Sequence, residues 1–169
     1  MSIVIRKISL EDAYEYTALH IACWRDAYTG IIPDEYFDKM SADSEKRAEM
    51  WRQTLKEPDD CEYLCIMCEN KMIGRLIFSK SRDEDMPHAG EVIAIYLLAG
   101  YWGKGYGKQA MDFAVAGLRQ AGYNEIFLWV LEENSRARRF YEKYGFVYDG
   151  TRQDIEIGKT VTEIRYVLK

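Results

Sequence analysis

The sequence YWGKGYGK at residues 101–108 is the most informative stretch of this chain. It follows an apolar run at 91–98, typical of a strand buried on both faces, and opens an amphipathic run at 104–120, typical of a helix. Glycines let the backbone approach an anion closely, and the free N–H groups at a helix start then point at it. The segment therefore predicts a phosphate or diphosphate site between a strand and a helix.

Two nucleotide-binding motifs fit this loop incompletely. The Walker A motif needs a glycine where Trp102 stands and a serine or threonine where Gln109 stands, so it is excluded. The dinucleotide pattern G-x-G-x-x-G/A matches at Gly105, Gly107 and Ala110, but the loop before Gly105 is too long for its tight turn. A dinucleotide-dependent enzyme stays open as an alternative, which a comparison of stabilisation by coenzyme A and by NAD would separate.

The rest of the chain predicts one mixed α/β or α+β domain over residues 1–169. A right-handed crossover through the helix should make strands 91–98 and 125–131 parallel. A first helix is predicted from residue 9, and its apolar face would carry Ala13, Thr17, Ile21, Trp24 and Tyr28. Further helices are predicted from Pro33 and at 44–55, 104–120 and 134–144. The predicted strands are 3–8, 62–68, 71–80, 91–98, 125–131, 146–152 and 161–168.

Composition excludes several classes of function. The net charge is −5 and no Lys/Arg-rich run occurs, so no nucleic-acid partner is expected. No apolar stretch approaches the roughly 20 residues that span a bilayer, so no membrane association is expected. Residues 1–6 read as a strand and lack the layout of a signal peptide, which leads us to expect a cytoplasmic protein.

Three of the four cysteines, Cys61, Cys65 and Cys68, lie close together in the sequence. Zinc sites usually combine paired C-x-x-C knuckles, whereas only one occurs here. It lies within a strand pattern that would point Cys65 and Cys68 to opposite faces of the sheet. We therefore expect reduced structural thiols and no metal.

Three segments resemble the GNAT superfamily of N-acetyltransferases. Residues 102–107 resemble the loop [QR]-x-x-G-x-[GA] that holds the coenzyme A diphosphate, with Trp102 in place of the first residue. Residues 134–146 are similar to the segment N-x-x-A-x-x-[FL]-Y-x-x-x-G-F of that superfamily. Residues 20–30 are similar to the first helix of a common bacterial subgroup. With the order of elements, the resemblance covers nearly the whole chain.

The resemblance implies a central mixed, mostly antiparallel sheet of about seven strands, flanked by helices, with a splayed strand pair that binds acetyl-CoA. It implies an acetyl-CoA-dependent N-acetyltransferase that transfers the acetyl group directly to a primary amine of a small molecule, peptide or protein. The residues that it places around the cofactor are Ile95, Tyr96, Leu97, Trp102, Gly103, Lys104, Gly105, Tyr106, Gly107, Lys108, Asn134, Ala137, Arg138, Phe140 and Tyr141. The N–H of Leu97 would polarise the thioester carbonyl.

The resemblance also suggests which residues carry the chemistry. Tyr141 would protonate the departing thiolate, although a tyrosine at helical spacing also suits a core. Asn134 would cap a helix and contact the cofactor or Tyr141. Glu91 would be the general base, although it also suits a charged strand end that faces solvent. Glu132 and Glu133 remain within reach as alternatives, and a water chain could replace a dedicated base. Trp24 and Tyr28 would contact the amine, Tyr28 more directly, because Trp24 also suits core packing.

Several questions stay open from the sequence. Peptide N-termini, lysines, polyamines, amino sugars and amino acids are all possible acceptors, and the protein could be a monomer or a homodimer. A non-catalytic module that senses acyl-coenzyme A is the second possible function, although the presence of Tyr141 and Glu91 speaks against it.

Overall fold

A computed structural model describes residues 2–169 of the protein. Its strands are β1 (Ile3–Lys7), β2 (Glu62–Cys68), β3 (Lys71–Lys80), β4 (Gly90–Leu97), β5 (Ile126–Leu131), β6 (Val147–Glu156) and β7 (Thr160–Leu168). Its α-helices are α1 (Ala13–Tyr28), α2 (Asp34–Ala42), α3 (Ser44–Lys56), α4 (Tyr106–Gln120) and α5 (Ser135–Tyr144).

The seven strands form one mixed sheet in the order β1-β2-β3-β4-β5-β7-β6. Every neighbouring pair is antiparallel except β4 and β5, which are parallel. The predicted fold class and the predicted parallel pair are therefore confirmed.

The parallel pair is joined over a short length only. Gly90 pairs with Ile126 and Glu91 pairs with Phe127, and no later residue of β4 is paired with β5. Because β4 continues to Leu97 and β5 to Leu131, the two strands diverge beyond the pairs. The divergence leaves an opening at the centre of the sheet, as expected for the splayed pair.

Helices cover both faces of the sheet. Helix α4 packs Met111, Ala114 and Leu118 against Val92 and Ile126, and α5 adds Tyr141 to the same cluster. On the opposite face, α1 and α2 bury Tyr28, Phe37 and Met40 against Leu131 and Val161. The opening between β4 and β5 thus lies between two apolar layers, one on each face of the sheet.

Local differences from the sequence prediction have simple causes. Helix α4 begins at Tyr106 and not at Lys104, because Gly103 and Gly105 have φ of +73° and +81°, which a helix cannot include. Strand β6 extends to Glu156, four residues beyond the predicted end, because its pairing with β7 continues to Thr160. Pro33 precedes α2 as its N-cap rather than as its first residue.

Cys65 and Cys68 lie in clusters on opposite faces of the sheet, as predicted. All four cysteines are free thiols. Between residues 2 and 169, none of the helices combines the length and the apolar character that crossing a bilayer requires.

Candidate active site

A cavity of about 900 Å³ occupies the opening between β4 and β5. It runs from the turn before α4, past the inner edge of β4, to the start of α5. Its wall includes Tyr28 of α1, residues 92–97 of β4, residues 128–130 of β5, Trp102, Gly103, Gly105, Gly107 and Lys108 of the turn and α4, and Asn134, Arg136, Ala137, Phe140 and Tyr141 at α5.

The glycine turn presents free backbone amides to this cavity. Gly105 is the N-cap of α4, and no side chain caps the helix. The first intrahelical bond is donated by the N–H of Gln109 to the carbonyl of Gly105 at 3.2 Å, so the amides before Gln109 have no intrahelical acceptor. The space that a Cβ would occupy at Gly103 and at Gly105 is empty to 4 Å. An anion can therefore approach the helix start without obstruction.

Arg136 and Trp102 form a stacked pair on the cavity wall. The Cζ atom of Arg136 lies 3.5 Å from the centre of the Trp102 ring, and the indole N–H donates to the carbonyl oxygen of Leu97 at 2.8 Å. Burial lowers the pKa of Arg136, yet a guanidinium stays charged in proteins. The pair therefore holds a positive charge beside the glycine turn.

Tyr141 lies deep in the cavity, with 8% of its surface exposed. Burial raises the pKa of its hydroxyl above the ordinary value; Tyr96 raises it further, and the positive charge of Arg136 opposes the increase. The phenol is therefore a protonated donor at neutral pH.

A pair of hydrogen-bonded tyrosines lies on the α1 side of the same cavity. The hydroxyls of Tyr28 and Tyr96 are 2.6 Å apart and form a hydrogen bond. Burial raises the pKa of both hydroxyls, so both are neutral at ordinary pH. The pair presents neutral polar groups toward Tyr141, and the nearby carboxylate of Glu163 contributes to the raised pKa of both hydroxyls.

Asn134 connects β5 to α5 at the inner end of the cavity. Its side-chain oxygen accepts a hydrogen bond from the backbone N–H of Ala137 at 3.2 Å, so the predicted helix cap is present. This bond fixes the first turn of α5, which carries Arg136 and leads to Tyr141.

Glu91 does not contribute to the cavity wall, which counts against its expected role as the base. It is 1% exposed, and both carboxylate oxygens are bonded to Arg82: Oε1 to Nη2 at 2.7 Å, and Oε2 to Nε at 3.0 Å and to the backbone N–H at 3.2 Å. Both oxygens of the Glu91 carboxylate are thus engaged by Arg82, and neither is directed at a substrate in the cavity. The sequence pattern could not show this, because Arg82 lies in a loop.

Four other expected site residues have their side chains elsewhere. Arg138 donates to the hydroxyl of Tyr166 at 3.1 Å and to the carbonyl of Glu132 at 3.0 Å, outside the cavity wall. Lys104 extends over the ring of Tyr101, and the Tyr106 side chain is buried beside Cys68. Lys104 and Tyr106 can therefore contribute only their backbone groups to the anion-binding turn. Trp24 packs edge-on against Tyr28, behind the wall.

Arg136 and the side chain of Tyr96 are the principal site groups that the sequence did not predict. Arg136 lies in the segment 134–146, but nothing in its spacing indicates a stack on Trp102, 34 positions earlier in the chain. Tyr96 was expected beside the cofactor, but a contact of its hydroxyl with Tyr28 was not. Its approach to Tyr28 depends on how α1 crosses the sheet, which no local pattern reports.

The divergent strands, the glycine turn and one cavity that joins them to a buried tyrosine define the acyl-coenzyme A transferase class of this fold. The model of the acetyltransferase (GNAT) family matches residues 21–146, and the chain therefore belongs to that family. This match confirms the resemblance, and with it acetyl-CoA, the donor that the family uses.

The chain is similar to several relatives over most of its length. It is 28% identical to the uncharacterized N-acetyltransferase YuaI of Bacillus subtilis, over 84% of this chain and 79% of that protein. It is 26% identical to a spermidine N(1)-acetyltransferase of Thermoplasma acidophilum, over 89% of this chain and 92% of that protein. The crystal structure of PaiA N-acetyltransferase from Thermoplasma acidophilum in complex with coenzyme A superimposes with a TM-score of 0.72, at 26% identity, over 96% of this chain and 98% of that one.

Proposed function

We propose that this protein transfers the acetyl group of acetyl-CoA directly to a primary amine. The observation that carries the proposal is the continuous cavity, which joins an open anion-binding turn to a buried, protonated tyrosine. Such a cavity holds an elongated molecule with an anionic group at one end and a reacting centre at the other. Acetyl-CoA has this form.

The cofactor would be held by two sets of groups. The amides at the start of α4 and the guanidinium of Arg136 would bind the diphosphate. The exposed inner edge of β4 at 95–97 would pair with the pantetheine amides as an added strand does. The N–H of Leu97 would then polarise the thioester carbonyl.

The reaction needs one proton donor on the cofactor side. The neutral amine attacks the thioester carbon, the tetrahedral intermediate collapses, and the C–S bond breaks. The departing thiolate takes the proton of the Tyr141 hydroxyl, and Tyr141 recovers a proton from solvent. Burial keeps the Tyr141 hydroxyl protonated before the reaction, and the nearby charge of Arg136, which lowers its pKa, would stabilise the phenolate once the proton has moved.

On the acceptor side we propose that Glu91 does not remove the amine proton directly. Glu91 is held by Arg82, and the hydroxyls of Tyr28 and Tyr96 are neutral donors and acceptors. These tyrosines would orient the amine nitrogen through hydrogen bonds, while its proton leaves through water. Spermidine is the first acceptor to test, because a relative with 26% identity carries that activity in its name.

The experiment is an assay of purified protein with acetyl-CoA and a panel of amines that contains spermidine, lysine, an amino sugar and a peptide. Free coenzyme A thiol and the acetylated amine are measured together, by a thiol reagent and by mass spectrometry. We expect both products in equal amounts with at least one amine. Tight coenzyme A binding without an acetylated amine from any member of a broadened panel would overturn the proposal in favour of a non-catalytic acyl-coenzyme A sensor.

A further inference from the structure

A buried arginine outside the cavity has N–H groups without an acceptor. Arg75 of β3 is 5% exposed, and within residues 2–169 its Nε and Nη1 atoms find no hydrogen-bond partner. Its Cζ atom lies 5.1 Å from the ring centre of Tyr16 and 5.4 Å from that of Trp51. Aromatic faces attract the cation, but they do not satisfy N–H groups at the edge of the guanidinium plane. A buried charge of this kind normally has an anionic partner.

Further unpartnered donors lie around the same point. Arg47 and Trp51 are one turn apart on α3, as His20 and Trp24 are on α1, and the rings of His20 and Trp24 are 5.2 Å apart. The Nε atom of Arg47 and the indole nitrogen of Trp24 are buried, and neither has a partner in the described chain. The groups between α1, α3 and β3 are therefore donors that lack acceptors.

Both arginines lie close enough to His20 for their charges to act on its imidazole. Burial lowers its pKa to about 2, and the charges of Arg75 and Arg47 contribute to the decrease. The imidazole is therefore neutral, and the two guanidinium groups are the charges there. His20, Arg47 and Trp24 are only half-buried, which leaves the cluster in contact with solvent.

We propose that Arg75, Arg47 and Trp24 form a binding site for a small oxyanion, such as a carboxylate or a phosphate. The planar guanidinium presents paired N–H groups that match two oxygens of such a group. Bound oxygens would satisfy the buried donors and offset the two charges, in part for a carboxylate and in full for a doubly ionised phosphate. The surrounding aromatic rings strengthen these bonds by excluding water.

The oxyanion has two possible sources, because the site borders the cavity. Tyr96, which lines the cavity, is opposite Arg75 in the pairing of β3 with β4, and Trp24 contacts Tyr28. The ligand is thus either the acid group of an amine acceptor or a free anion. The first possibility rests on the proposed function; the existence of the site does not.

The test measures the melting temperature of the full chain in sodium acetate, sulfate or phosphate against sodium chloride of equal ionic strength. At an anion concentration 100-fold above the Kd, wild-type protein should gain about 5–10 °C. Arg75→Met should remove the gain and melt at or above the wild type without anion, since an unpaired buried charge has been replaced by an apolar chain. Arg52→Met on the same helix as Arg47 is the matched control, and it should keep the full gain.

Arg47→Met keeps the test decisive if Arg75→Met does not fold. Arg47 is half-buried on α3, so its replacement should be tolerated, and the variant should show at most half of the wild-type gain in melting temperature. The proposal is overturned if no oxyanion raises the melting temperature of the wild type above that in chloride, or if both arginine variants respond as the wild type does.

A second measurement separates the sources. Acetyl transfer is compared for pairs of amines that differ in one carboxylate, such as glycine and methylamine. A lower KM for the acid that is lost in Arg75→Met assigns the site to the acceptor. If the two amines have equal KM values and oxyanions still raise the melting temperature, the site is assigned to a free anion. Both results support the site, and a failure of all acetyl transfer leaves the melting measurement unaffected.

Discussion

The guanidinium carbon of Arg136 lies 3.5 Å from the centre of the Trp102 ring. Trp102 stands at the loop position where the family pattern has glutamine or arginine. Its indole N–H donates a hydrogen bond to the carbonyl oxygen of Leu97. The side chain that departs from the pattern thus forms a flat support for a cation from α5. We infer that Arg136 supplies the charge that the loop itself lacks at this position.

This relationship predicts the effect of Arg136→Met on cofactor binding. Loss of a charge-assisted contact to the diphosphate should weaken coenzyme A binding by about 10- to 100-fold. Pantetheine, which has no diphosphate, should bind the variant and the wild type equally. Titration calorimetry with both ligands measures the difference.

Arg139→Met is the control, because Arg139 is exposed on the same helix and outside the cavity wall. It should leave both affinities unchanged. An equal loss for pantetheine and coenzyme A in Arg136→Met would show that the stack supports the wall and does not bind the diphosphate.

Gly105→Val tests the anion-binding turn. Gly105 has φ of +81°, and the empty space beside it is where the diphosphate should lie. A branched side chain there should strain the helix start and block the ligand, so coenzyme A binding should fall below detection.

Gly122→Val separates strain from obstruction. Gly122 has φ of +100° and equally empty surroundings, but it lies at the far end of α4. Both variants should lose similar stability in urea unfolding, about 1–2 kcal/mol. If Gly122→Val also abolished coenzyme A binding, strain in α4 and not the turn would be the cause.

The sequence predicted the parts of this structure that depend on local patterns. Alternating and continuous apolar segments located all seven strands, and the glycines at 103, 105 and 107 located the turn. Asn134 was predicted as a cap because capping is decided within four residues. These features need no information about distant parts of the chain.

The arrangements that the sequence did not predict depend on contacts that no local pattern encodes. The ion pair of Glu91 with Arg82 depends on how the loop at 81–89 folds back on β4. Tyr28 and Tyr96 are 68 positions apart in the sequence, and the hydrogen bond between them depends on how α1 crosses the sheet. A single sequence carries no signal for either arrangement.

Tyr141→Phe tests the proton donor. Removing the hydroxyl should lower kcat by about 100-fold and leave the Kd for coenzyme A within a factor of about two, because the buried ring stays. Steady-state kinetics and calorimetry supply the two numbers. Tyr144→Phe is the control: its hydroxyl is bonded to Asp112, and kcat should stay near that of the wild type. Unchanged turnover in Tyr141→Phe would remove Tyr141 from the chemistry.

Glu91→Gln tests whether this carboxylate is a base or an ionic partner. The variant breaks a pair in which Glu91 is almost wholly buried, so the free energy of unfolding should fall by about 1–3 kcal/mol. The pH dependence of kcat/KM should superimpose on that of the wild type. A shift of its acidic limb would restore Glu91 as the base. Arg82→Met should cost more, because it leaves the buried Glu91 carboxylate without its cation, and the double variant should recover part of that loss.

The buried tyrosines predict how stability changes at alkaline pH. Burial raises the pKa of Tyr28, Tyr96 and Tyr141, so each phenol ionises in the unfolded chain before it ionises in the folded one. Their stabilisation is complete below the unfolded pKa of about 10 and is lost as pH rises above it. Above that pH, the free energy of unfolding should fall by about 1.4 kcal/mol per pH unit for each of them.

Urea unfolding across this pH range measures the slope, and the double variant Tyr28→Phe/Tyr96→Phe should reduce the slope by two such contributions. Tyr14→Phe, at a side chain that is 51% exposed, should leave the slope unchanged. An unaltered slope in the double variant would show that these two hydroxyls already ionise in the folded protein.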